Sequence, residues 1–289
     1  MPLSIIDRCR IALVAVALAT AFPGCTQCRN LLGWGPPVPA QCALPDDANA
    51  QQIVLYLNDN THKLRGWRTT RAKISARGNI LVPKLDATVV VESPRNFRLV
   101  ATNVTGGHEV DLGSNIEQFW FWVRRNEDKQ VVVASHDLDP ERMRRFPFPF
   151  QPDWIMETMG VIAIDPEEDF VLKPGAAGSH VATLISNRTS PQGHPVRKVT
   201  VVDLRQGVIR EHALLDARNQ PIARAVLSQH ARDKTSDAMI PTKIELDWPQ
   251  AQLALTMTLS EVEVNPAHYS QNTWKLPPFP GYEIYDLNR

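Results

Sequence analysis

Alternating apolar and polar residues recur along most of the chain. Phe97, Leu99 and Ala101 alternate with polar neighbours, and the same period of two returns in later segments such as residues 253–260. Side chains of a β-strand point to opposite faces in turn, so this pattern predicts strands with one face toward a core. We count about a dozen such segments, with few helical patterns between them. The sequence therefore predicts a mainly β protein with a few helices and an antiparallel sheet.

One segment before the strands follows the period of an α-helix instead. The apolar residues at helical spacing are Ala50, Ile53, Val54 and Leu57. Their i, i+3, i+4, i+7 positions predict an amphipathic helix. We expect Asp46 or Asp47 to cap its N-terminus, and the polar residues 58–60 to end it.

A proline-rich stretch in the middle of the chain separates two groups of predicted strands. Residues 146–150 read Phe-Pro-Phe-Pro-Phe. Proline has no N–H to donate to a sheet, so this stretch is not expected to form a central strand. A short helix is predicted over residues 152–160, because Pro152 suits the start of a helix and Gly160 its end.

The first 25 residues carry the pattern of an export signal. Charged residues 7–10 precede an apolar run over residues 11–22, and Gly24 and Cys25 follow. A membrane-spanning helix needs roughly 20 apolar residues, so this shorter run favours a signal peptide over residues 1–24. The junction resembles the lipobox of bacterial lipoproteins, which implies that Cys25 carries acyl chains such as palmitate as a lipid anchor. An ordinary cleaved signal on a soluble secreted protein is the alternative.

Residues 25–44 are expected to link this anchor to a folded domain. Their prolines and glycines predict a stiff, unfolded tether. Once Cys25 is acylated, Cys28 and Cys42 are the remaining thiols of the mature chain, and an oxidising compartment would allow a disulfide between them. Thr26 stands where an aspartate would resemble an inner-membrane retention signal. We therefore expect the bacterial cell envelope, at the outer membrane and facing the periplasm.

Charge and motifs exclude several classes of function. The chain has 31 basic and 31 acidic side chains, a balance that gives no long-range attraction to nucleic acid. Its eight histidines lack the spacing of zinc ligands, and no nucleophile elbow, phosphate loop or dinucleotide fingerprint is present. We expect no metal, no cofactor and no catalytic residue, and hence a binding protein that is not an enzyme. We also expect a monomer.

Several segments together resemble the bacterial lipoprotein carriers LolA and LolB. Residues 94–100 and 106–122 resemble strands of these carriers, and residues 244–248, 263–265 and 276–282 resemble related cell-envelope lipoproteins of the same superfamily. The resemblance covers residues 45–289 and implies an incomplete β-barrel, that is, a curved antiparallel sheet closed by helices over an apolar cavity. Ser93 stands where the soluble carrier has an arginine that latches its lid. The resemblance therefore implies an anchored binding protein rather than a shuttle.

Two aromatic segments are the candidate walls of that cavity. One face of strand 119–122 would form a fixed wall, and segment 146–159 a movable one, because its prolines keep it out of the sheet. The candidate cavity residues are Phe119, Phe121, Phe146, Phe148, Trp154, Ile155, Met156 and Met159. The expected ligand is an acyl chain of a lipid or of a lipoprotein. Two alternatives stay open: these side chains only pack the core, or the chain is an anchored structural or assembly factor that binds a protein partner.

Overall fold

Fifteen strands and three α-helices make up the part of the chain that the computed structural model describes, residues 42–78, 82–144, 152–270 and 272–289. The helices are α1 (Ala50–His62), α2 (Pro140–Met143) and α3 (Pro152–Thr158). The strands are β1 (Gly66–Gly78), β2 (Val82–Glu92), β3 (Asn96–Thr102), β4 (His108–Ser114), β5 (Gln118–Val123), β6 (Gln130–Ser135), β7 (Val171–Pro174), β8 (Val181–Thr189), β9 (Pro195–Asp203), β10 (Val208–Leu215), β11 (Pro221–Arg232), β12 (Met239–Trp248), β13 (Leu253–Ser260), β14 (Glu263–Val264) and β15 (Glu283–Asp286). The prediction of a mainly β protein with few helices is confirmed.

The strands form one large curved sheet that is not closed into a barrel. Its order is β15-β6-β5-β4-β3-β2-β1-β13-β12-β11-β10-β9-β8-β7, with β14 added beside β1. All neighbours are antiparallel except β15 and β6, which run parallel. The β1–β13 pair joins the two halves of the sheet, with Ala72 opposite Leu259 and Ile74 opposite Met257. The predicted incomplete barrel of antiparallel strands is therefore confirmed.

Helix α1 forms where the helical period predicts it, but its ends differ from the prediction. Asn49, not Asp46 or Asp47, is the N-cap: its side chain accepts a hydrogen bond from the Gln52 N–H, and the Gln52 side chain accepts one from the Asn49 N–H. This reciprocal capping box satisfies two backbone donors at once. The helix also continues to His62 instead of ending at residues 58–60.

Helix α1 covers the sheet at β8 and β9. Its buried residues Ile53, Val54 and Leu57 belong to one apolar cluster with Leu184 of β8 and Val202 of β9. Burial of a large aliphatic side chain contributes roughly 1.5–3 kcal/mol, so this face fixes the helix on the sheet. The apolar face predicted for α1 is therefore the face that packs on the sheet.

The largest apolar core joins both halves of the sheet through helix α3. This cluster contains inner-face side chains of the first strands, such as Leu99 and Phe119, and of the later ones, such as Ile244 and Leu246. Trp154, Ile155, Met156 and Met159 from α3 and the residue that follows it belong to the same cluster. Helix α3 therefore packs on one face of the curved sheet and contacts both of its halves.

The outer face of β5 is covered by the C-terminal segment. Trp122 stacks on Phe279 with ring centroids 4.9 Å apart and meets Tyr282 edge-on at 5.3 Å. Trp120 is fully buried on the same face, and its Nε1–H donates to Asp111 at 3.0 Å. Strand β5 is thus buried on both faces. This burial agrees with the interpretation that its aromatic side chains pack the core.

Candidate functional site

A cavity of about 280 Å³ lies beside helix α3, between the start of β5 and strands β8–β10. Its lining residues come from parts of the sheet that are not neighbours in the strand order. The lining residues are Phe119, His136, Met143, Pro152, Asp153, Trp154, Glu157, Ile162, Ala163, Asp165, Arg188, Thr189, Ser190, Pro191, Val196 and Leu214. The volume is close to the lower end of the range for small-molecule sites, about 300–1,000 Å³.

The cavity has an apolar floor and a polar rim. Phe119, Met143 and Val196 are buried at the floor, whereas Asp153 and Asp165 are exposed. An apolar recess that reaches solvent at a polar edge suits an amphipathic ligand, whose apolar part leaves water while its polar part stays near the surface.

Of the predicted cavity residues, Phe119 and Trp154 line this cavity. Phe121 is half-buried and packs against the core cluster from the same strand as Phe119. Phe146 and Phe148 lie outside the described residues, although the cavity lining includes the residues on both sides of that segment, Met143 and Pro152.

Ile155, Met156 and Met159 are brought to the core and not to the cavity lining. They are 3%, 0% and 0% exposed, and all three pack in the largest apolar cluster. They were predicted to line the cavity, and in the structure they pack in the core behind its wall. Six of the seven residues of α3 are buried, so the helix shows almost no solvent face.

A buried polar network forms one wall beside this cavity. Glu157 of α3 is 6% exposed and pairs with Lys198 of β9, which is 1% exposed. The other Glu157 oxygen accepts from Arg188 Nη1 at 3.3 Å, and Arg188 also pairs with Glu168. On the next strand His212 is fully buried, with its Nδ1 3.0 Å from Thr200 Oγ1. Two cations and two carboxylates thus balance: Glu157 and Lys198 are buried, whereas Arg188 and Glu168 are part-exposed.

The environment shifts the pKa values of this network in directions that its geometry explains. Burial raises the pKa of Glu157, but Lys198, His212 and Arg188 outweigh burial and hold that pKa below its usual range. Burial lowers the pKa of Lys198, which shares its one carboxylate with the like charge of Arg188. Burial, reinforced by Lys198, lowers the pKa of His212 to about 3, so this imidazole is neutral near pH 7.

Sequence reasoning did not identify this polar wall, although a signal was present. Val196, Lys198, Thr200 and Val202 fall on one face of β9, and that face is buried. A lysine at a core position of an alternating strand needs a partner, because an unpaired buried charge is costly. Glu157 stands inside the apolar helix α3 and is that partner. The pairing itself could not be predicted, since 41 residues separate the two side chains.

Other recesses are less suited to an apolar ligand. A space of about 570 Å³ lies where β10 and β11 stop pairing, and polar side chains dominate its lining, among them Asp203, Arg210 and Gln229. Such a lining suits water rather than an acyl chain. Among the described residues, no group of three or more His, Cys, Asp or Glu side chains is placed to hold a metal ion.

The predicted Cys28–Cys42 disulfide stays a prediction. Cys28 lies outside the described residues, and Cys42 is half-buried with its Sγ 4.0 Å from His180 Nδ1. The predicted tether already contacts the domain at its end, because Leu44 is buried and its N–H donates to the Leu204 carbonyl at 2.9 Å.

Comparison with known proteins identifies the fold. No family model matches the chain, and no curated protein sequence is significantly similar to it. A DUF1329 family protein from Desulfovibrio piger is similar in structure, with a TM-score of 0.50 at 11% identity over 78% of this chain and 95% of that one. A domain described as an outer membrane lipoprotein-sorting protein from Vibrio parahaemolyticus gives 0.51 at 7% identity, over 78% and 97%.

A LolA superfamily protein from Nitrosomonas europaea gives a TM-score of 0.50 at 9% identity, over 79% of this chain and 98% of that one. These similarities show a LolA-like fold, as the sequence segments implied. Within the described residues, none of the helices has the length and apolar character that crossing a membrane requires.

Proposed function

We propose that this chain is a lipid-anchored protein of the bacterial cell envelope that binds an acyl chain of a lipid or lipoprotein in the cavity beside α3. The observation that carries the proposal is an apolar cavity at the place where α3 bridges the two halves of a LolA-like sheet. Binding needs no covalent chemistry, since burial of each methylene contributes about 0.8 kcal/mol. We place the predicted walls Phe119 and Trp154 in contact with the ligand.

The proposal includes a role for the proline-rich segment between α2 and α3. The lining residues Met143 and Pro152 flank this segment on either side, which supports placing Phe146 and Phe148 at the entrance. The cavity has a volume of about 280 Å³. A ligand that is too long for this volume requires the entrance to move. Ile155, Met156 and Met159 then support the wall from behind, and Phe121 supports the sheet side.

Membrane attachment is proposed to depend on Cys25, after removal of residues 1–24. Acylation of Cys25 would anchor the chain stably, because two acyl chains bind a bilayer where one does not suffice. Replacing Cys25 with Ser should move the protein from the membrane fraction to the soluble fraction of cells. Retention of both forms in the membrane fraction would contradict the anchor. Thr26 supports outer-membrane placement with the domain in the periplasm.

The binding proposal can be tested with the full-length Cys25→Ser chain, purified without detergent. Native mass spectrometry should detect co-purified lipid on this chain. Val196 is buried at the cavity floor, so Val196→Phe should fill part of the space and reduce the bound fraction. The control Val171→Phe enlarges a valine that is 58% exposed on edge strand β7, and it should retain lipid. Equal lipid occupancy in the two variants would contradict the cavity as the binding site.

A second function is favoured by the packing of the interior. Met156 and Met159 are fully buried and pack with the apolar core beneath the sheet. This packing suits an anchored structural or assembly factor that binds a protein partner without a ligand. Native mass spectra in which neither parent nor variants carry lipid would favour this second function.

A further inference from the structure

The hydrogen-bonded ladder between β10 and β11 stops before either strand ends. The last pair is Glu211 with Val226, yet β10 begins at Val208 and β11 continues to Arg232. Beyond this last pair, no backbone pair joins the two strands among the described residues. On their other sides both strands stay paired, β10 with β9 and β11 with β12. The sheet therefore has an opening between two strands that do not lie at its edge.

Both strands depart from regular geometry at this opening. Arg210 is an extra residue in β10, because the register with β9 shifts between Ile209 and Glu211. Gln229 of β11 has a φ of 54°, a left-handed conformation that is uncommon for a residue other than glycine. Such conformations persist only where the surrounding structure holds them, and they occur often at binding sites. Gln229 lies inside β11, so the opening is a feature of the fold rather than a frayed strand end.

A recess of about 570 Å³ occupies the opening. Its lining includes Arg210 and Glu211 from β10 and residues 226–230 from β11. It shares no lining residue with the cavity beside α3, so the two spaces are separate sites. The ring of His230 donates a hydrogen bond to the Ile209 carbonyl. One side chain thus takes the place of a backbone donor across the opening.

The charges around the recess are already compensated. Asp203 pairs with Arg210 at 3.8 Å, and the two oxygens of Glu211 accept from Arg224 at 2.7 and 2.6 Å. Burial lowers the pKa of His230, so its ring is neutral near pH 7. A charged ligand would lose hydration here without finding an unpaired partner. The recess therefore suits an uncharged group.

We propose that the recess binds an extended, uncharged peptide segment of a partner protein, which pairs with the free stretch of β11 from Leu227 to Arg232. An extended strand presents N–H and C=O groups at the spacing of the strand beside it, about 3.3 Å per residue. It can therefore bond the backbone that β10 leaves unpaired, whereas a small polar molecule matches only a few of these groups. Val201 and Val226 line the recess and are half-buried, and they offer the peptide side chains an apolar contact.

The test uses a fluorescein-labelled hexapeptide of alternating threonine and valine, added to the full-length Cys25→Ser chain. Fluorescence anisotropy should show saturable binding. A copy of the peptide that is N-methylated at every amide keeps the side chains but has no backbone donor. This copy should bind at least about 30-fold more weakly, which corresponds to about 2 kcal/mol, or two hydrogen bonds.

Two valine substitutions locate the peptide on the sheet. Val226→Arg places a larger, charged side chain in the recess and should weaken binding several-fold. Val199→Arg is the matched control, because Val199 is also half-buried on a strand but does not line the recess, and it should leave binding unchanged. In the parent chain, amide hydrogen exchange should slow at residues 208–210 and 227–232 when the peptide binds. This measurement decides the result if circular dichroism shows that a variant does not fold.

Three results would overturn the inference: binding that survives N-methylation, equal binding by the two folded valine variants, or exchange that stays unchanged at these residues. Absence of peptide binding would also overturn it, and a dimer in sedimentation analysis would then assign the recess to a second copy of the chain. Excess palmitate should not displace the peptide, since displacement would place the peptide in the cavity beside α3. Loss of this inference leaves the acyl-binding proposal intact.

Discussion

Replacing Lys198 with Met should destabilise the fold strongly, because it leaves Glu157 as a buried carboxylate without its closest partner. The two side chains are 1% and 5% exposed. Removing one partner of a buried ion pair costs roughly 3–5 kcal/mol. Arg188 remains 3.3 Å from Glu157, so we expect the lower end, about 3 kcal/mol.

The assay is urea unfolding of the Cys25→Ser chain, followed by circular dichroism and tryptophan fluorescence. With an m-value near 3 kcal/mol/M, a loss of about 3 kcal/mol in the free energy of unfolding lowers the urea midpoint by roughly 1 M. The matched control is Lys73→Met, since Lys73 is 67% exposed and its partner Asp86 is 56% exposed. Exposed pairs contribute about 0–1 kcal/mol, so this variant should shift the midpoint little.

A double variant separates the lost pair from the unpaired charge. Lys198→Met combined with Glu157→Leu removes the buried carboxylate as well, and replacing a whole buried pair with apolar side chains is often neutral. The double variant should therefore recover most of the lost stability. The reasoning is refuted if Lys198→Met shifts the midpoint no further than Lys73→Met does.

Three further predictions concern other parts of the chain. The pKa of His212 is about 3 in the folded protein and 6.5 in the unfolded chain, so stability falls as the pH drops from 6.5 toward 3. At pH 5 the loss of stability is about 2 kcal/mol relative to pH 7. Urea titrations at both pH values should show that His212→Gln removes this loss. Gly113→Ala should lower thermal stability, because a Cβ there would lie 1.9 Å from Trp120; an unchanged melting temperature contradicts the contact. Thiol labelling of the native membrane-purified protein should find Cys28 and Cys42 unreactive, and two labelled thiols would exclude their disulfide.

The fold could be predicted from the sequence wherever a single periodic pattern determines the local structure. The alternation in β3 predicts which side chains are buried, and Phe97, Leu99 and Ala101 are indeed the buried ones. Local signals were less decisive where several residues compete for one role. Asp46, Asp47 and Asn49 can all cap a helix, and the position of Gln52 three residues after Asn49 selects the last.

The candidate site was only partly predictable because it depends on non-local contacts. Phe119 and Trp154 were recognised from their aromatic segments, whereas Arg188 and Lys198 come from strands that no local motif connects to α3. Helix α3 is only seven residues long, and such a length does not reveal which of its sides are buried. Met156 was therefore expected at the surface of the cavity, although it packs in the core.

The most direct test of acyl binding beside α3 is photocrosslinking with a palmitoyl ester that carries a diazirine on its acyl chain. The probe is added to the full-length Cys25→Ser chain, and mass spectrometry of the digested protein maps the adducts. Acyl binding beside α3 predicts adducts on the cavity lining, at Phe119, Trp154 or Val196, and fewer of them in Val196→Phe. Adducts confined to the polar recess around Gln229, or no adduct at all, would contradict it.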